Sequence, residues 1–455
     1  MTVPPNLRVG IDGFNLALPH GTGVATYART LAEAMRGLGR RIDLVYGLTV
    51  NPNSTPNQRE TLFYAALAEG HSGGEAPERV TPWGRLRRNF LNPAPRDLIE
   101  IPLSGRVVRR GVATRVPDCD RLFTFSRLFY VGRRYLQRYG RLMPVRMAEP
   151  PAIMHWTYPV PVRLLGARNV YTIHDLVPLR LPYLSLEDKS YHERLLRACI
   201  SSGDHVLTVS ESSRSDILTY LEVPAEKVTT IHQAVTGLPG LAAVEEADRR
   251  RLRALFDLEP QGYFLFYGAT EPKKNVGRLI EGYFGASIDT PLVIAGPTAW
   301  LAEGELRLLG RGNGTTLTRS ERVRRVDYLT REHLGILLRG ARGLVFPSIY
   351  EGFGLPPVEA MQAGVPVIAG DAGALPEILG DAGLLVDPYD PTAIGEAMTR
   401  IDVDPDLRAE LISKGRRRAA AFALEPYQKA LARFHAELMQ MPTKNRSSVS
   451  TGASQ

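Results

Sequence analysis

Cysteine is nearly missing from this chain. Among 455 residues only Cys119 and Cys199 occur, and neither sits in a metal-type spacing. A disulfide framework and a cysteine metal site are both excluded, and a reducing compartment fits. Long apolar runs are absent too: no window approaches eighteen uninterrupted apolar residues, which argues against a membrane span. The opening, Met-Thr-Val-Pro-Pro-Asn-Leu-Arg, has no basic stretch followed by an apolar run, so no secretory signal is expected. The expected location is the cytoplasm. No acidic or histidine cluster demands a metal, and no cofactor is called for. Lysine is missing between Arg79 and Arg146, where sixteen arginines stand against Asp97, Glu100, Asp118 and Asp120. The chain as a whole carries a net charge of +8, so this segment alone exceeds the total and the remainder is slightly acidic. A partner with clustered negative charge is implied there: anionic lipid, a phosphorylated acceptor or nucleic acid.

What is present is ordinary for a globular protein, with 44% hydrophobic and 23% charged residues. The length exceeds one typical core and suggests two or three domains. Short apolar runs alternate with amphipathic helical stretches, the pattern of parallel α/β sheets. Expected strands lie at 8–13, 41–48, 153–156, 170–174, 206–210 and 228–231. A second set follows at 263–267, 292–295, 343–346, 365–369 and 383–386. Between the sets, 233–260 holds Gly-Leu-Pro-Gly and a charged helix and reads as a linker, with a boundary near Gly237. The expected division is a first domain over 1–237, a second over 238–425, a helix at 426–441 crossing back to the first, and a disordered tail at 442–455. Residues 70–150 do not fit the alternation and read as an Arg-rich insertion. Within them, 125–142 projects onto a wheel with Phe125, Leu128, Tyr135, Leu136, Tyr139 and Leu142 on one side. Arg127, Arg133, Arg134, Arg138 and Arg141 fall on the other, so the segment is either a membrane-surface helix or a packed helix with a solvated face.

The most informative stretch is Tyr350-Glu-Gly-Phe-Gly-Leu-Pro-Pro-Val-Glu-Ala-Met-Gln-Ala-Gly-Val-Pro366. An apolar strand at 343–346 precedes it. Gly352 and Gly354 let the backbone bend and approach a ligand. Pro356 and Pro357 suit a first helical turn, and Gly364 with Pro366 supplies a stop, so a short helix is expected over 357–363. Strand, glycine loop and helix N-terminus together attract an anion such as a diphosphate. Carboxylates beside a phosphate would repel it, so Glu351 and Glu359 are assigned to sugar hydroxyls. The whole describes a nucleotide-sugar site.

Glu-x7-Glu in this setting resembles the signature of the family-4 retaining glycosyltransferases. That resemblance implies the GT-B fold: two Rossmann-like, doubly wound parallel-sheet domains facing each other across a cleft. It implies that Glu351 faces the transferred sugar and Glu359 the ribose, with Gly352, Phe353, Gly354 and Leu355 lining the donor. The segment Gly268-Ala-Thr-Glu-Pro-Lys-Lys-Asn275 follows a strand and opens a helix, where two lysines can neutralise a leaving diphosphate. It is similar to the family's lysine motif, which makes Lys274 a catalytic candidate and Glu271 and Lys273 donor-binding ones. Many relatives also carry an arginine a few residues earlier, at the place that Gly268 takes here, so either another cation substitutes or Lys274 acts with backbone N–H groups alone.

Across the expected cleft, His20-Gly-Thr-Gly-Val-Ala precedes a helix over 25–35 and resembles a glycine pair that faces the donor, giving Gly21 and Gly23. A dinucleotide fingerprint fits poorly there, because Thr26 replaces the third glycine and Asp43 would begin the next strand rather than end it. Thr172-Ile-His-Asp ends a strand and should project His174 and Asp175 into the cleft; the family has a histidine at this place, so His174 is a catalytic candidate. The segment 322–329 resembles the one that holds the base, with Asp327, Tyr328 and Leu329 as candidates.

The function implied is transfer of a hexose from a nucleoside-diphosphate sugar to a hydroxyl of a glycan or polyprenyl-linked acceptor, with retention of configuration. Retention in the family is assigned to front-face attack with the leaving phosphate as base, and needs neither an enzymatic nucleophile nor a metal. Similarity to bacterial polysaccharide-assembly enzymes suggests mannose. An epimerase or hydrolase on the same fold is the alternative. Nucleic acid is not an expected partner, since base stacking needs aromatics along a groove. An anionic surface on the inner face of the cytoplasmic membrane is a further expected partner.

Overall fold

The computed structural model describes residues 7–19, 21–70, 93–109, 111–238, 246–299, 302–309, 322–327 and 329–442. Its first sheet has eight strands. From edge to edge they are Val228–Thr230, His205–Thr208, Arg168–Thr172, Ile153–Trp156, Arg8–Asp12, Arg41–Tyr46, Arg121–Thr124 and Ile99–Ile101. All pairings are parallel except the last, where Ile99–Ile101 runs antiparallel to Arg121–Thr124. The second sheet has six parallel strands in the order Val323–Val326, Leu292–Ala295, Phe264–Tyr267, Gly343–Phe346, Val367–Gly370 and Leu384–Val386. Central strands such as Phe264–Tyr267 and Val367–Gly370 are buried throughout, as continuous apolar strands covered by helices on both faces must be. A small third sheet joins Arg96–Asp97, Met143–Arg146 and Val162–Leu164.

In each large sheet the chain starts in the middle and winds outwards in both directions. The strand order therefore reverses beside the first strand, and the crevice at that switch point opens at the carboxyl ends. In the second sheet it lies between Phe264–Tyr267 and Gly343–Phe346. Those two strands lead directly into the lysine loop and the glutamate loop.

The Arg-rich region departs from expectation. Residues 71–92 lie outside the described ones, but Arg121–Thr124 is a regular member of the first sheet, parallel to Arg41–Tyr46. It was hidden because it has four residues and starts with a charge. That charge is accounted for by Asp43, which is fully buried and takes two bonds from Arg121, at 2.9 Å from Nε and 2.6 Å from Nη2. Removing one member of such a buried fork typically costs about 3–5 kcal/mol. Asp43 is thus a structural partner inside a strand, in keeping with the rejected dinucleotide reading.

The helix expected over 125–142 is shorter, Leu128–Tyr139, and closes on Gly140 in the left-handed region. Leu128, Phe129, Tyr135 and Leu136 are buried in a core cluster with Trp156, Val162 and Tyr171. Its apolar side is therefore committed to the protein interior, and the membrane-inserting version of the reading is corrected. Arg133, Arg134 and Arg138 remain exposed. The edge strand Val323–Val326 was not anticipated either, since three of its four positions are only half-buried or exposed. No described helix is long and apolar enough to cross a membrane.

The last described helix, Leu424–Gln440, packs on the first sheet's helix Gly23–Gly37 and against the sheet itself. His435 from this helix and His155 from strand Ile153–Trp156 meet Nε2 to Nε2 at 2.9 Å, and both rings are fully buried. Burial pulls His155 down from 6.5 to about 4, and His435 is pulled well below its ordinary value by burial and the nearby His155 and Arg40 charges. Both imidazoles are neutral when folded and charge on unfolding, so the unfolded chain binds more protons below about pH 6.5. Stability should accordingly fall as pH drops from about 6.5 towards 4. In urea melts at pH 7 and 5, a His155→Leu/His435→Leu double variant should lose less stability between the two than the wild type; an equal loss would show that the pair carries none of it.

Candidate active site

Two loops leave the switch point of the second sheet, and each is shaped by its own residues. In the lysine loop, Pro272–Lys274 forms a single tight turn and Asn275 adopts the left-handed region at φ 61°. The buried Asn275 amide donates to the carbonyls of Pro347, at 3.0 Å, and Pro388, at 2.5 Å. The Ile349 N–H bonds the Lys273 carbonyl at 2.8 Å. The lysine loop is thereby tied to the approach of the glutamate loop. In the latter, Gly354 holds φ 101°, which is open to glycine, and caps the helix Leu355–Ala363. Gly352 lies against the His174 carbonyl and the Asp175 side chain of the facing domain so closely that a Cβ would collide.

The two loops bring Lys274 Nζ to 2.5 Å from Glu351 Oε1. Burial opposes ionisation of Glu351, but the charges of Lys274 and then Lys273 outweigh it and hold the carboxyl below its ordinary range. Lys273 stands among Glu351, Asp175 and Glu271, the last at 3.6 Å, and these acids raise its ammonium although burial works the other way. Glu359 is separate. It accepts from the Tyr267 hydroxyl at 2.5 Å, and burial raises its carboxyl against the smaller opposing effects of Tyr267 and Arg331. One glutamate is held ionised beside two lysines; the other, equally buried, is bonded to a tyrosine hydroxyl.

From the facing domain, the helix Gly23–Gly37 starts with Thr22 as its cap, whose side chain accepts from the Ala25 N–H at 3.1 Å. Gly23 stands opposite Leu355: a Cβ there would lie 3.6 Å from Leu355 Cδ1. Gly21 lies just before the cap. Two helix N-termini thus face one another across the cleft. His174 follows its strand as expected, and its Nε2 lies 2.8 Å from the Thr157 carbonyl. A carbonyl only accepts, so Nε2 carries the proton and Nδ1 is left as an acceptor. Burial lowers this histidine's pKa, with Thr157 and Asp175 partly offsetting it, and keeps it neutral.

Some expected residues are placed differently. The Phe353 side chain is 4% exposed and packs edge-on to Phe422 with centroids 5.6 Å apart, so only its backbone can face a ligand. Tyr328 and His20 lie outside the described residues. Asp327 pairs with Arg325 at 2.9 Å on the surface. Tyr267 was overlooked, although its place at the carboxyl end of strand Phe264–Tyr267 is a signal that could have found it. Arg29 and Arg331 were overlooked as well. Burial and then the charge of Arg331 depress Arg29, and Arg331 also acts on Glu359, so Arg331 stands near the second glutamate with Arg29 near Arg331.

Residues 248–418 match the family model described as glycosyl transferases group 1, and residues 21–236 match the glycosyltransferase family 4 model. The chain belongs to this glycosyltransferase family. Among its relatives is the O-antigen chain mannosyltransferase B of Escherichia coli, 34% identical over 263 residues, which are 57% of this chain and 67% of that one. The serotype-specific mannosyltransferase WbdA of Escherichia coli is 26% identical over 328 residues, 66% of this chain and 40% of that one. The chain thus spans about two thirds of the first relative's length and well under half of the second's. Among solved structures, sucrose-phosphate synthase from Thermosynechococcus elongatus superposes with a TM-score of 0.62 at 21% identity, covering 95% of this chain and 99% of that one. Anabaena HepE in complex with UDP and glucose gives 0.60 at 14% identity, covering 95% of this chain and 100% of that one. The fold of this glycosyltransferase is therefore GT-B, as its sequence resemblance implied.

Because Lys274 and Lys273 hold Glu351 ionised, removing one cation should raise its pKa. In Lys274→Ala the acid limb of the pH–rate profile should move to higher pH, and turnover should fall more than the donor KM rises. An acid limb that stays in place would separate Glu351 from the ionisation that governs the rate.

Proposed function

We propose that this glycosyltransferase moves a hexose, with retention, from a nucleoside diphosphate to a hydroxyl of a glycan or lipid-linked acceptor. The observation that carries the reading is the Lys274–Glu351 pair at the switch point, beside the N-terminus of Leu355–Ala363, the helix that carries Glu359. The donor diphosphate is assigned to Lys274, Lys273 and the N–H groups of Gly352 to Leu355, with Gly21 and Gly23 opposite. Negative charge grows on the bridging oxygen as the sugar leaves, and these groups are aimed at it. One preorganised donor of this kind is typically worth about 2.7–4 kcal/mol. Glu351 accepts from hydroxyls of the transferred sugar and releases Lys274 to the phosphate as the donor enters. Glu359 and Tyr267 take the ribose. His174, neutral and bare at Nδ1, can accept a hydroxyl proton from the sugar but cannot donate through Nε2. The first domain, 1–237, is assigned to the acceptor and 238–425 to the donor. Mannose is the proposed sugar, following the relatives described as O-antigen mannosyltransferases. Their named role also suggests a growing polysaccharide as acceptor.

The exposed guanidiniums of Arg133, Arg134 and Arg138 are proposed to meet an anionic membrane surface where such an acceptor resides. Attraction there is electrostatic alone, because the apolar side of their helix is buried. Each basic residue near an anionic leaflet contributes about 1 kcal/mol.

Two outcomes test the site. Glu351→Gln should leave GDP or UDP binding near normal while transfer falls by orders of magnitude. Glu359→Gln should weaken the nucleoside diphosphate itself, by about 1.5–3 kcal/mol for the loss of a charge-assisted bond. Calorimetric titration separates them, and equal loss of nucleotide affinity in both would refute the division of roles. For the surface, replacing Arg133, Arg134 and Arg138 by Gln should reduce sedimentation with anionic vesicles at low salt. Wild-type protein that ignores such vesicles would end the membrane reading.

A further inference from the structure

The helix Glu211–Leu221 follows strand His205–Thr208 of the first sheet, yet its first turns are bonded to the glutamate loop of the second. Ser210 caps it, accepting from the Ser213 N–H at 3.1 Å, and its own hydroxyl donates to the Gly352 carbonyl at 2.7 Å. Ser213 Oγ donates to the His174 carbonyl at 2.8 Å. One turn further, Asp216 accepts from the Tyr350 hydroxyl and from Arg180, whose guanidinium also lies 5.4 Å from the Tyr350 ring centroid. The residue before Glu351 and the residue after it are therefore both bonded to one helix of the other domain.

The same helix receives a carboxylate in return. Glu377, on the second domain's helix Leu375–Leu379, accepts from the N–H groups of Glu211 at 2.9 Å and Ser212 at 3.1 Å. These are the donors that a first helical turn leaves unpaired. His232 Nε2 reaches the same carboxylate at 2.6 Å. The segment that carries Glu377 also holds Glu351 itself, through Ala374 N–H to the Glu351 carbonyl at 3.0 Å.

We propose that Ser210, Asp216 and Glu377 are positioning residues that set Glu351 in place when the two domains close, so that closure and catalytic alignment are one event. The proposal rests on the reading that Glu351 meets the transferred sugar. Ser210 and Asp216 are at most 5% exposed, so opening the cleft hands their polar groups to water, and closing it requires that each find its partner in the other domain. None of the bonds in this set involves Lys274, Tyr267 or Glu359. The nucleotide can bind without them; the sugar cannot be aligned without them.

Tyr350→Phe, Asp216→Asn and Glu377→Gln test this, each removing hydrogen bonds with little change in volume. With GDP-mannose as donor and octyl α-mannoside as acceptor, kcat should fall by about tenfold or more while the donor KM and GDP affinity change by less than about twofold. Asp216→Glu, which keeps the acceptor, should recover part of the loss. X-ray scattering with GDP or UDP bound should show a larger radius of gyration in the variants than in the wild type. Unchanged kcat, nucleotide affinity falling in step with kcat, or identical scattering would overturn the proposal. The scattering comparison needs no sugar transfer. A wild type that transfers nothing but still compacts more than its variants would therefore defeat the transfer reading and leave the closure intact.

Discussion

The chemistry proposed for the cleft depends on one largely buried ion pair. Lys274 and Glu351 come from loops 77 residues apart in the chain and stand 2.5 Å from each other. Taking two such charges from water is expensive, and the pair by itself is weak evidence of stability. Its value lies in geometry. On the proposed reading, the ammonium is held where a leaving phosphate would need it, and the carboxylate stays ionised where sugar hydroxyls would need an acceptor. Lys273, Asp175 and Glu271 surround the pair with alternating charge, so no member is buried alone.

The sheet topology explains why these loops meet. A doubly wound sheet begins in its middle, and the loops after its first strand and after the strand across the reversal have no crossover helix between them. Phe264–Tyr267 and Gly343–Phe346 are that pair of strands. The facing domain then contributes two different things. At the helix Gly23–Gly37 it presents an N-terminus to the start of the helix Leu355–Ala363. At the helix Glu211–Leu221 it grips the backbone on both sides of Glu351.

Local chemistry was the most legible part. Glycine at 352 and 354, two prolines, a stop at Gly364 and a preceding apolar run specify a loop and helix without help from elsewhere, and the helix begins only two residues earlier than expected. The central strands were legible for the same reason, being apolar throughout. Misreadings came where a distant residue changes the meaning of a local one. Arg121 looks like a surface charge until Asp43 is placed beside it. The arginine helix looks like a membrane element until Trp156 and Tyr171 cover its apolar side. Phe353 lies inside the signature, yet Phe422 and not the cleft receives its ring.

The sequence alone determined the alternation of strands and helices, the two loops with their charged side chains, and the family resemblance, because each of these is written in contiguous residues through periodicity, backbone freedom and charge. Tertiary structure alone decided which charges meet. Whether Lys274 faces Glu351, whether His174 keeps Nδ1 bare, and whether Asp216 reaches Tyr350 all depend on how two sheets wind and how two domains close. Those are properties of contacts between residues far apart in the chain, and no local pattern encodes their distance.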